Sequence, residues 1–325
     1  MSIDPQAQAF LAMVADAPPL DTCSVEDNRA QLAAVVPLTG EPAELADVRD
    51  TTLPGPGGAV PVRVYRPSTD TGLPAVAYFH GGGWMLCDLD THDTTCRDIA
   101  RHAGAVVVAV DYRRSPEHPF PAAYEDCLAV TRALLDGGAG LGTDPARVAV
   151  AGDSAGGNIA AAIAQTLRDA SPPLAHQVLI YPLTDARMTP TPSYVEFAEG
   201  HFLTHRDIDY FLRAYAGDAD RDDPRLSPAR AEDLRGLAPA TIITAGNDPL
   251  RDEGAAYADA LAAAGVPVHY ACFEGQVHPF VLLAGIIDDA HDARRLIGDR
   301  LAEAFTRDSS ADAAVPAWGW TSRRP

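Results

Sequence analysis

Apolar positions follow two different rhythms along this chain of 325 residues. Short runs rich in valine, isoleucine and alanine, which are typical of buried strands, are separated by longer stretches whose apolar residues recur with a helical period. The strand-like runs lie at residues 48–52, 60–65, 74–79, 105–110, 148–151, 177–181, 241–245 and 266–273. The main helical stretches are predicted at residues 91–102, 122–135, 159–164, 204–215, 252–264 and about 280–305.

Alternation of strands and helices predicts an α/β fold built on one mostly parallel sheet with helices on both faces. The first two strands flank the turn signal P-G-P-G-G at residues 54–58, so the sheet is expected to begin with an antiparallel hairpin. In such sheets ligands bind at the carboxyl ends of the strands. Residues that carry chemistry should therefore come directly after strands.

Two regions do not follow this alternation. Residues 1–45 read as one or two amphipathic helices, broken by prolines at 18–19 and 37, which are more suited to packing over another surface than to forming a core. Residues 186–235 are irregular apart from the helix with Thr204 as its expected cap. The polar tail from Thr306 is expected to be loose.

The apolar run 148–151 leads into Gly152-Asp153-Ser154-Ala155-Gly156 and then directly into an alanine-rich helix. A strand, a tight G-x-S-x-G turn and a helix form the nucleophile elbow of serine hydrolases, in which the serine hydroxyl is lifted clear of the sheet. The two glycines are needed because side chains there would clash with the neighbouring backbone. The alternative is an ordinary strand-to-helix turn with a capping serine.

A second glycine-rich motif, His80-Gly81-Gly82-Gly83-Trp84, follows the strand at 74–79. Consecutive glycines let backbone N–H groups approach a substrate oxygen closely, as an oxyanion hole requires. Gly82 and Gly83 are predicted to donate, together with the N–H of Ala155. A flexible loop or a phosphate nest is the alternative, which the absence of a neighbouring lysine or G-x-G-x-x-G motif disfavours.

An acid and a base are expected downstream of Ser154, each after a strand. Asp248 follows the strand at 241–245. Asp252 and Glu253 begin the next helix, where the helix dipole favours negatively charged side chains. His278 follows the strand at 266–273 through a short loop. The order Ser154, Asp248, His278 is that of α/β-hydrolases.

The other histidines are given weaker interpretations. His80 is expected to shape the glycine loop, and a metal pair at His201 and His205 is disfavoured because no H-E-x-x-H motif accompanies it. Asp153 occupies the variable position of the elbow and is assigned no proton transfer. Ordinary surface or helix positions are expected for His92, His102, His176, His269 and His291.

Taken together, four motifs closely resemble those of the bacterial hormone-sensitive-lipase-like carboxylesterases over residues 45–305. They are H-G-G-G-W at 80–84, D-Y-R at 111–113 with P-E-H-P-F-P-A-A at 116–123, G-D-S-A-G-G-N at 152–158, and D-P-L-R-D-E at 248–253. The chain departs from the family pattern at Arg114-Ser115 and at Cys87, which flank the predicted site.

The resemblance implies a single α/β-hydrolase domain over residues 1–325 with an eight-stranded sheet. Its core would span residues 46–185 and 236–305, and a helical cap would be formed by residues 1–45 and 186–235. It further implies Ser154 as nucleophile, His278 as base, Asp248 as its partner, and an oxyanion hole at Gly82, Gly83 and Ala155. The residues expected to line the substrate pocket are Trp84, Leu203, Leu250 and Phe280.

The implied activity is hydrolysis of short- to medium-chain acyl esters through an acyl-enzyme, with a small-molecule ester as substrate and no cofactor or metal. An amidase, lactonase or acyltransferase would use the same residues and stays open. A non-catalytic receptor on a hydrolase scaffold is disfavoured because Ser154, Asp248 and His278 are all retained.

Charge and composition narrow the partners. The formal net charge is -20, which disfavours nucleic acid and stable association with anionic membranes. All 25 basic residues are arginine, which excludes a phosphate-loop lysine, a lysine Schiff base and a Ser-Lys dyad. The five cysteines are odd in number and none are spaced as C-x-x-C, which indicates reduced thiols. No signal peptide is expected, and no apolar run is long enough to cross a membrane, so a cytoplasmic protein is predicted. A homodimer stays open.

Overall fold

The computed structural model describes residues 2–137 and 140–306, and its centre is one sheet of eight strands. The strands are β1 (Asp47–Gly55), β2 (Gly58–Arg66), β3 (Leu73–Phe79), β4 (Val106–Val110), β5 (Thr143–Asp153), β6 (His176–Ile180), β7 (Ala240–Asn247) and β8 (Val268–Val277). The helices are α1 (Pro5–Val14), α2 (Val25–Ala33), α3 (Asp93–Ala103), α4 (Ala122–Leu135), α5 (Ala155–Thr166), α6 (Pro192–Glu196), α7 (His205–Ala216), α8 (Arg251–Ala263) and α9 (Asp288–Thr306).

The strands are arranged in the order β1-β2-β4-β3-β5-β6-β7-β8. Only β2 runs antiparallel to its neighbours β1 and β4, and every other pair is parallel. The predicted α/β-hydrolase fold, with its eight-stranded, mostly parallel sheet and antiparallel start, is confirmed.

Helices cover both faces of the sheet. In β5, Val148 and Val150 pack with α4, α5 and α8 on one face, whereas Ala149 and Ala151 pack with α3 and α9 on the other. Both sets are fully buried, because a strand covered on two faces has no solvent side. The nearly continuous apolar runs of the sequence have this cause.

The predicted helix after Thr204 is confirmed as α7. The Thr204 hydroxyl accepts the Asp207 N–H at 3.1 Å, and the Asp207 carboxylate accepts the Thr204 N–H at 3.0 Å. This reciprocal capping box satisfies two N–H groups that have no partner within the helix.

The last helix begins later than predicted. It starts at Asp288 rather than near Phe280, and residues Phe280–Leu282 form a short 3-10 turn instead. The fully buried guanidinium of Arg294 donates to the carbonyls of Val281 at 2.9 Å and Leu282 at 3.0 Å. A side chain of α9 therefore binds the carbonyls that a continuous helix would have bound with its own N–H groups.

The N-terminal helices lie against the end of the sheet and against the 186–235 region. Asp4 N–H donates to the carbonyl of Gly275 in β8 at 2.8 Å, and the rings of Phe10 and Phe202 are 5.3 Å apart. Within the described residues, no helix is long and apolar enough to cross a membrane. The predicted loose tail beyond Thr306 lies outside the described residues.

Candidate active site

Ser154 stands at the junction of β5 and α5. Its backbone has φ of 56° and ψ of -118°, a conformation that is strained for a residue with a side chain. A Cβ at Gly152 would lie 2.4 Å from the carbonyl of Gly156, and a Cβ at Gly156 would lie 1.9 Å from the carbonyl oxygen of Phe79. Only glycine fits at either position, so the two flanking glycines allow the turn to close.

Ser154, His278 and Asp248 meet at the carboxyl ends of β5, β8 and β7. The Ser154 hydroxyl lies 3.0 Å from Nε2 of His278, and Nδ1 of His278 lies 2.7 Å from Oδ2 of Asp248. A carboxylate only accepts hydrogen bonds, so Nδ1 of His278 carries a proton and donates a hydrogen bond to Asp248. In neutral His278, Nε2 then accepts from the Ser154 hydroxyl.

The His278 imidazole is held on several sides. Asp248 is fully buried, and its second oxygen accepts the N–H of Leu250 at 2.9 Å. The ring of Tyr181 lies 4.4 Å from the imidazole, centroid to centroid. Because His278 is only 5% exposed, its orientation is set by protein groups and not by solvent.

The glycine loop begins directly after β3. Gly82 and Gly83 have φ of +95° and +61°, and within the described residues their N–H groups donate to no backbone carbonyl. Burial lowers the pKa of His80 to about 3, so its imidazole is neutral, and Nδ1 donates to the carbonyl of Gly81 at 2.8 Å. That carbonyl shares a planar peptide with the N–H of Gly82, so His80 also sets the direction of this N–H.

A cavity of about 290 Å³ opens beside Ser154. Three of the four residues predicted for the substrate pocket line it, namely Trp84, Leu203 and Leu250. The full lining consists of Gly83, Trp84, Ser154, Ala155, Leu183, Leu203, Ile208, Phe211 and Leu250.

Phe280, the fourth residue predicted for the pocket, does not line this cavity. Its fully buried ring packs on Phe273 at 4.9 Å and on Tyr181 at 6.1 Å, within the apolar cluster on the α3 and α9 face. Phe280 begins the short 3-10 turn that follows Pro279.

Three lining residues were missed by the sequence prediction: Leu183, Ile208 and Phe211. Leu183 lies in the loop after β6, whereas Ile208 and Phe211 lie three residues apart on one face of α7. The helical period of α7 was visible in the sequence and could have indicated an apolar face. It could not indicate that this face turns towards Ser154.

His92 was predicted to occupy an ordinary surface or helix position, and this prediction is wrong. It is 1% exposed, directly precedes α3, and its Nε2 lies 3.0 Å from Oδ1 of Asp153. His176, in the same group of predictions, is also buried, and its Nε2 lies 2.8 Å from the hydroxyl of Thr241. Both histidines are internal partners of polar groups.

The two departures from the family pattern contact each other. Cys87 is buried with φ of 55°, a conformation that favours glycine, and its carbonyl accepts from Nη1 of Arg114 at 2.5 Å. Neither residue lines the cavity, and neither does Ser115. Their effect on the pocket is therefore indirect.

No group of three or more His, Cys, Asp or Glu in the described part of the chain could hold a metal ion. Nδ1 of His201 instead lies 2.8 Å from the carbonyl of Glu199, and His205 packs edge-on against Tyr194. A hollow of about 360 Å³ lies at the amino ends of β7 and β8, near Ala240 and Val268, and thus at the opposite edge of the sheet from Ser154.

The chain is similar in sequence and fold to known α/β-hydrolases. The family model described as an alpha/beta hydrolase fold matches residues 76–282. The chain is 48% identical to Esterase LipI of Mycobacterium tuberculosis over 254 residues, which cover 76% of this chain and 78% of that protein. It is 37% identical to the Ethyl acetate hydrolase of Pseudomonas putida over 320 residues, covering 93% and 99% of the two chains.

The fold is also similar to that of solved esterases. The hyperthermophilic esterase of Pyrobaculum calidifontis superposes with a TM-score of 0.89 and 39% identity, over 93% of this chain and 99% of that one. Sequence identity of 39% over nearly the whole length shows that the two proteins are related, and not only that their folds are alike. The chain therefore belongs to the hormone-sensitive-lipase-like family of α/β-hydrolase carboxylesterases, and it is a carboxylic ester hydrolase.

Proposed function

We propose that the protein hydrolyses short- to medium-chain acyl esters with Ser154 as nucleophile, His278 as general base and Asp248 as the group that orients the base. The observation that carries this proposal is the continuous hydrogen-bonded chain from the Ser154 hydroxyl through His278 to Asp248, with links of 3.0 and 2.7 Å. These are the distances expected of a nucleophile and a base that can exchange a proton.

The proposed reaction has two steps. His278 Nε2 takes the Ser154 proton as the hydroxyl oxygen attacks the ester carbonyl, and Asp248 stabilises the imidazolium that forms. The tetrahedral intermediate collapses when His278 returns the proton to the leaving alcohol, which leaves an acyl group on Ser154. Water, deprotonated by His278, then attacks this acyl-enzyme, and His278 returns that proton to the Ser154 oxygen as the acid leaves.

We assign the oxyanion hole to the N–H groups of Gly82, Gly83 and Ala155. Ala155 is the first residue of α5, where N–H groups have no partner within the helix and the helix dipole favours negative charge. Each donor of this kind is worth about 3 kcal/mol of transition-state stabilisation.

The cap is proposed to consist of residues 1–45 and 186–235, as predicted from the sequence. Leu203, Ile208 and Phe211 from the second segment close one side of the cavity with apolar surface. The first segment contacts the second through Phe10 with Phe202 and through an ion pair between Asp21 and Arg206.

A short to medium acyl chain is proposed because the cavity is apolar and small. Apart from Gly83 and Ser154, it is lined by apolar side chains, which suit an acyl chain. The name of the relative from Pseudomonas putida, Ethyl acetate hydrolase, supports a small ester as substrate. A cytoplasmic location and a homodimer stay predictions.

Replacement of Ser154 by alanine tests the proposal. Ser154→Ala should abolish turnover of p-nitrophenyl butyrate and labelling by a fluorophosphonate without changing the melting temperature. Ser68→Ala, at a partly exposed serine distant in sequence, should retain both activities. Near-normal turnover by Ser154→Ala would refute the assignment.

Two further experiments test the substrate. Among p-nitrophenyl esters from acetate to palmitate, activity should peak at about four to eight carbons. Activity on a matched p-nitroanilide would reveal an amidase.

A further inference from the structure

A buried cluster of polar groups lies beneath the glycine loop and takes no part in the proton transfers described above. Its centre is Asp153, the residue before Ser154, whose side chain is 2% exposed. One carboxylate oxygen, Oδ1, contacts three groups: the N–H of Gly81 at 3.0 Å, the hydroxyl of Tyr78 at 2.9 Å and Nε2 of His92 at 3.0 Å. A buried carboxylate is retained only where such partners offset its loss of hydration.

The proton inventory of this cluster follows from its geometry. Burial alone would raise the pKa of Asp153, but the attraction of His92 and the hydrogen bonds from His92 and Tyr78 outweigh it, so the pKa is lowered and the group is a carboxylate. Nε2 of His92 therefore carries a proton and donates it. Nδ1 lies 3.0 Å from the Thr91 hydroxyl, so both ring nitrogens have partners.

Asp153 fixes the start of the glycine loop by hydrogen bonding and by shape. Its Oδ1 accepts the N–H of Gly81, and a Cβ at Gly81 would lie only 2.4 Å from Oδ2. The carboxylate and the loop backbone are thus in direct contact. His80 binds the carbonyl of the same residue, so both polar groups of Gly81 have buried partners.

His92 connects this contact to the sheet-covering helix α3. It occupies the N-cap position of α3, and its ring lies 5.6 Å from that of His80, centroid to centroid. Asp153 is itself the last residue of β5. The loop is therefore fixed against two rigid elements, a strand and a helix.

We propose that Asp153 and His92 are positioning residues for the oxyanion hole, which hold the Gly81 peptide so that the N–H groups of Gly82 and Gly83 converge on the substrate oxygen. The inference rests on the proposed function, because it takes these N–H groups to be the oxyanion donors. Neither residue touches substrate, so their removal should weaken binding of a tetrahedral, charged adduct more than binding of a planar product.

The test compares four quantities in each variant: kcat and KM for p-nitrophenyl butyrate, the inhibition constant of butylboronic acid, that of butyrate, and the melting temperature. Butylboronic acid forms a tetrahedral adduct on a serine, whereas butyrate only occupies the pocket. Loss of one oxyanion donor lowers kcat by about 100- to 1,000-fold, so Asp153→Ala should lower kcat by roughly 100-fold. Butylboronic acid binding should weaken in proportion, with KM and the butyrate constant nearly unchanged.

Conservative variants provide the rescue. Asp153→Asn keeps an oxygen that can accept from Gly81 and should restore kcat to within about 10-fold of wild type. Asp126→Ala is a matched control, because the Asp126 side chain is also 2% exposed and accepts from the N–H and guanidinium of Arg113 at 3.0 and 2.9 Å. It should lower the melting temperature with kcat and the butylboronic acid constant unchanged.

The inference is overturned if folded Asp153→Ala matches Asp126→Ala in kcat and boronate affinity, or if boronate and butyrate binding weaken equally. Should Asp153→Ala fail to fold, His92→Phe and Tyr78→Phe are compared in the same way, and a parallel loss of kcat and boronate affinity in His92→Phe supports the inference. Unchanged values in His92→Phe overturn it. If Ser154→Ala is active, or if the wild type does not bind butylboronic acid, the proposed function itself is wrong.

Discussion

The two sides of the cavity beside Ser154 are built in different ways. On the sheet side, Ser154, His278 and Asp248 are joined by hydrogen bonds of 3.0 and 2.7 Å, and the turn between the flanking glycines has no room for a methyl group. On the side of residues 186–235, Ile208 and Phe211 contribute apolar surface alone. One side is specified by directional bonds and the other by shape.

The two sides also differ in the interactions that hold them in place. Residues 1–45 and 186–235 are held partly by ion pairs near the surface, such as Arg206 with Asp21 and Arg29 with Glu117, whose partners are between 23% and 56% exposed. Such pairs contribute little stability each. Substitutions on the sheet side should therefore change the rate by orders of magnitude, whereas those on the other side should change substrate preference or stability with little loss of rate.

The largest expected effect is on the sheet side, at His278. Because the base and its proton are lost together, His278→Ala should lower kcat for p-nitrophenyl butyrate by about 10⁴-fold and leave the fold intact. His291→Ala, at an exposed histidine of α9, serves as control and should match wild type. A His278→Ala variant that kept one tenth of the wild-type rate would break the contrast between the two sides.

The second prediction concerns Glu253 of α8, whose side chain contacts the 186–235 region. It accepts from the N–H of Thr184 and from the hydroxyl of Tyr194, and burial raises its pKa to about 8. A carboxyl group whose pKa is higher in the folded state stabilises the protein when protonated. That contribution is complete below the ordinary pKa of about 4.5 and is lost as the pH rises through 8.

Wild-type stability should accordingly fall by roughly 3–5 kcal/mol between pH 4.5 and 9 relative to that of Glu253→Gln, which stays neutral. Urea unfolding at several pH values measures the difference. Glu44→Gln, at an exposed residue, should keep the wild-type slope. Parallel curves for wild type and Glu253→Gln would contradict a neutral glutamate at this position.

A smaller effect is expected at Arg29 of α2. Its guanidinium donates to the carbonyls of Met85 at 3.0 Å and Ser115 at 3.2 Å and to both oxygens of Glu117. Met85 N–H donates in turn to the carbonyl of Gly82, so Arg29 supports the glycine loop from outside. Arg29→Ala should lower kcat/KM by about 3- to 10-fold, roughly the value of one or two partly exposed hydrogen bonds.

Arg29→Lys should recover little of this activity, because a lysine cannot reproduce the forked contact with Glu117. Arg213→Ala removes a comparable but exposed ion pair on α7 and should leave kcat/KM unchanged. Equal activities of Arg29→Ala and Arg213→Ala would show that the N-terminal helices do not support the loop.

At Phe211 we expect a change of substrate preference and not a loss of rate. Its ring packs directly on Gly83, where a Cβ would lie 2.3 Å from the ring. Phe211→Ala enlarges the cavity and should raise the ratio of kcat/KM for p-nitrophenyl octanoate over butyrate by about 10-fold, within the range for added methylenes in an apolar pocket. Phe197→Ala, at a buried phenylalanine that does not line the cavity, should leave the ratio unchanged.

Much of the sheet side could be predicted because its signals are local in sequence. Short apolar or β-branched runs predicted all eight strands. Central strands such as β3 and β4 are buried on both faces, and a strand in that position has almost no choice but apolar residues. Ser154, Asp248 and His278 could be singled out because each follows a strand, and parallel strands end at one edge. The positions of Phe280 and the start of α9 were wrong, because a guanidinium from α9 replaces the backbone donors there.

The sequence by itself determined the fold class, the family motifs and the order of the candidate residues, because each depends on periodicity or on a few neighbouring residues. Only the tertiary structure decided that Ile208 and Phe211 face Ser154 and that His92 lies buried against Asp153. These contacts join residues separated by more than 50 positions. No local pattern specifies which of several apolar faces or polar side chains will meet, since that choice is made by packing of the whole chain.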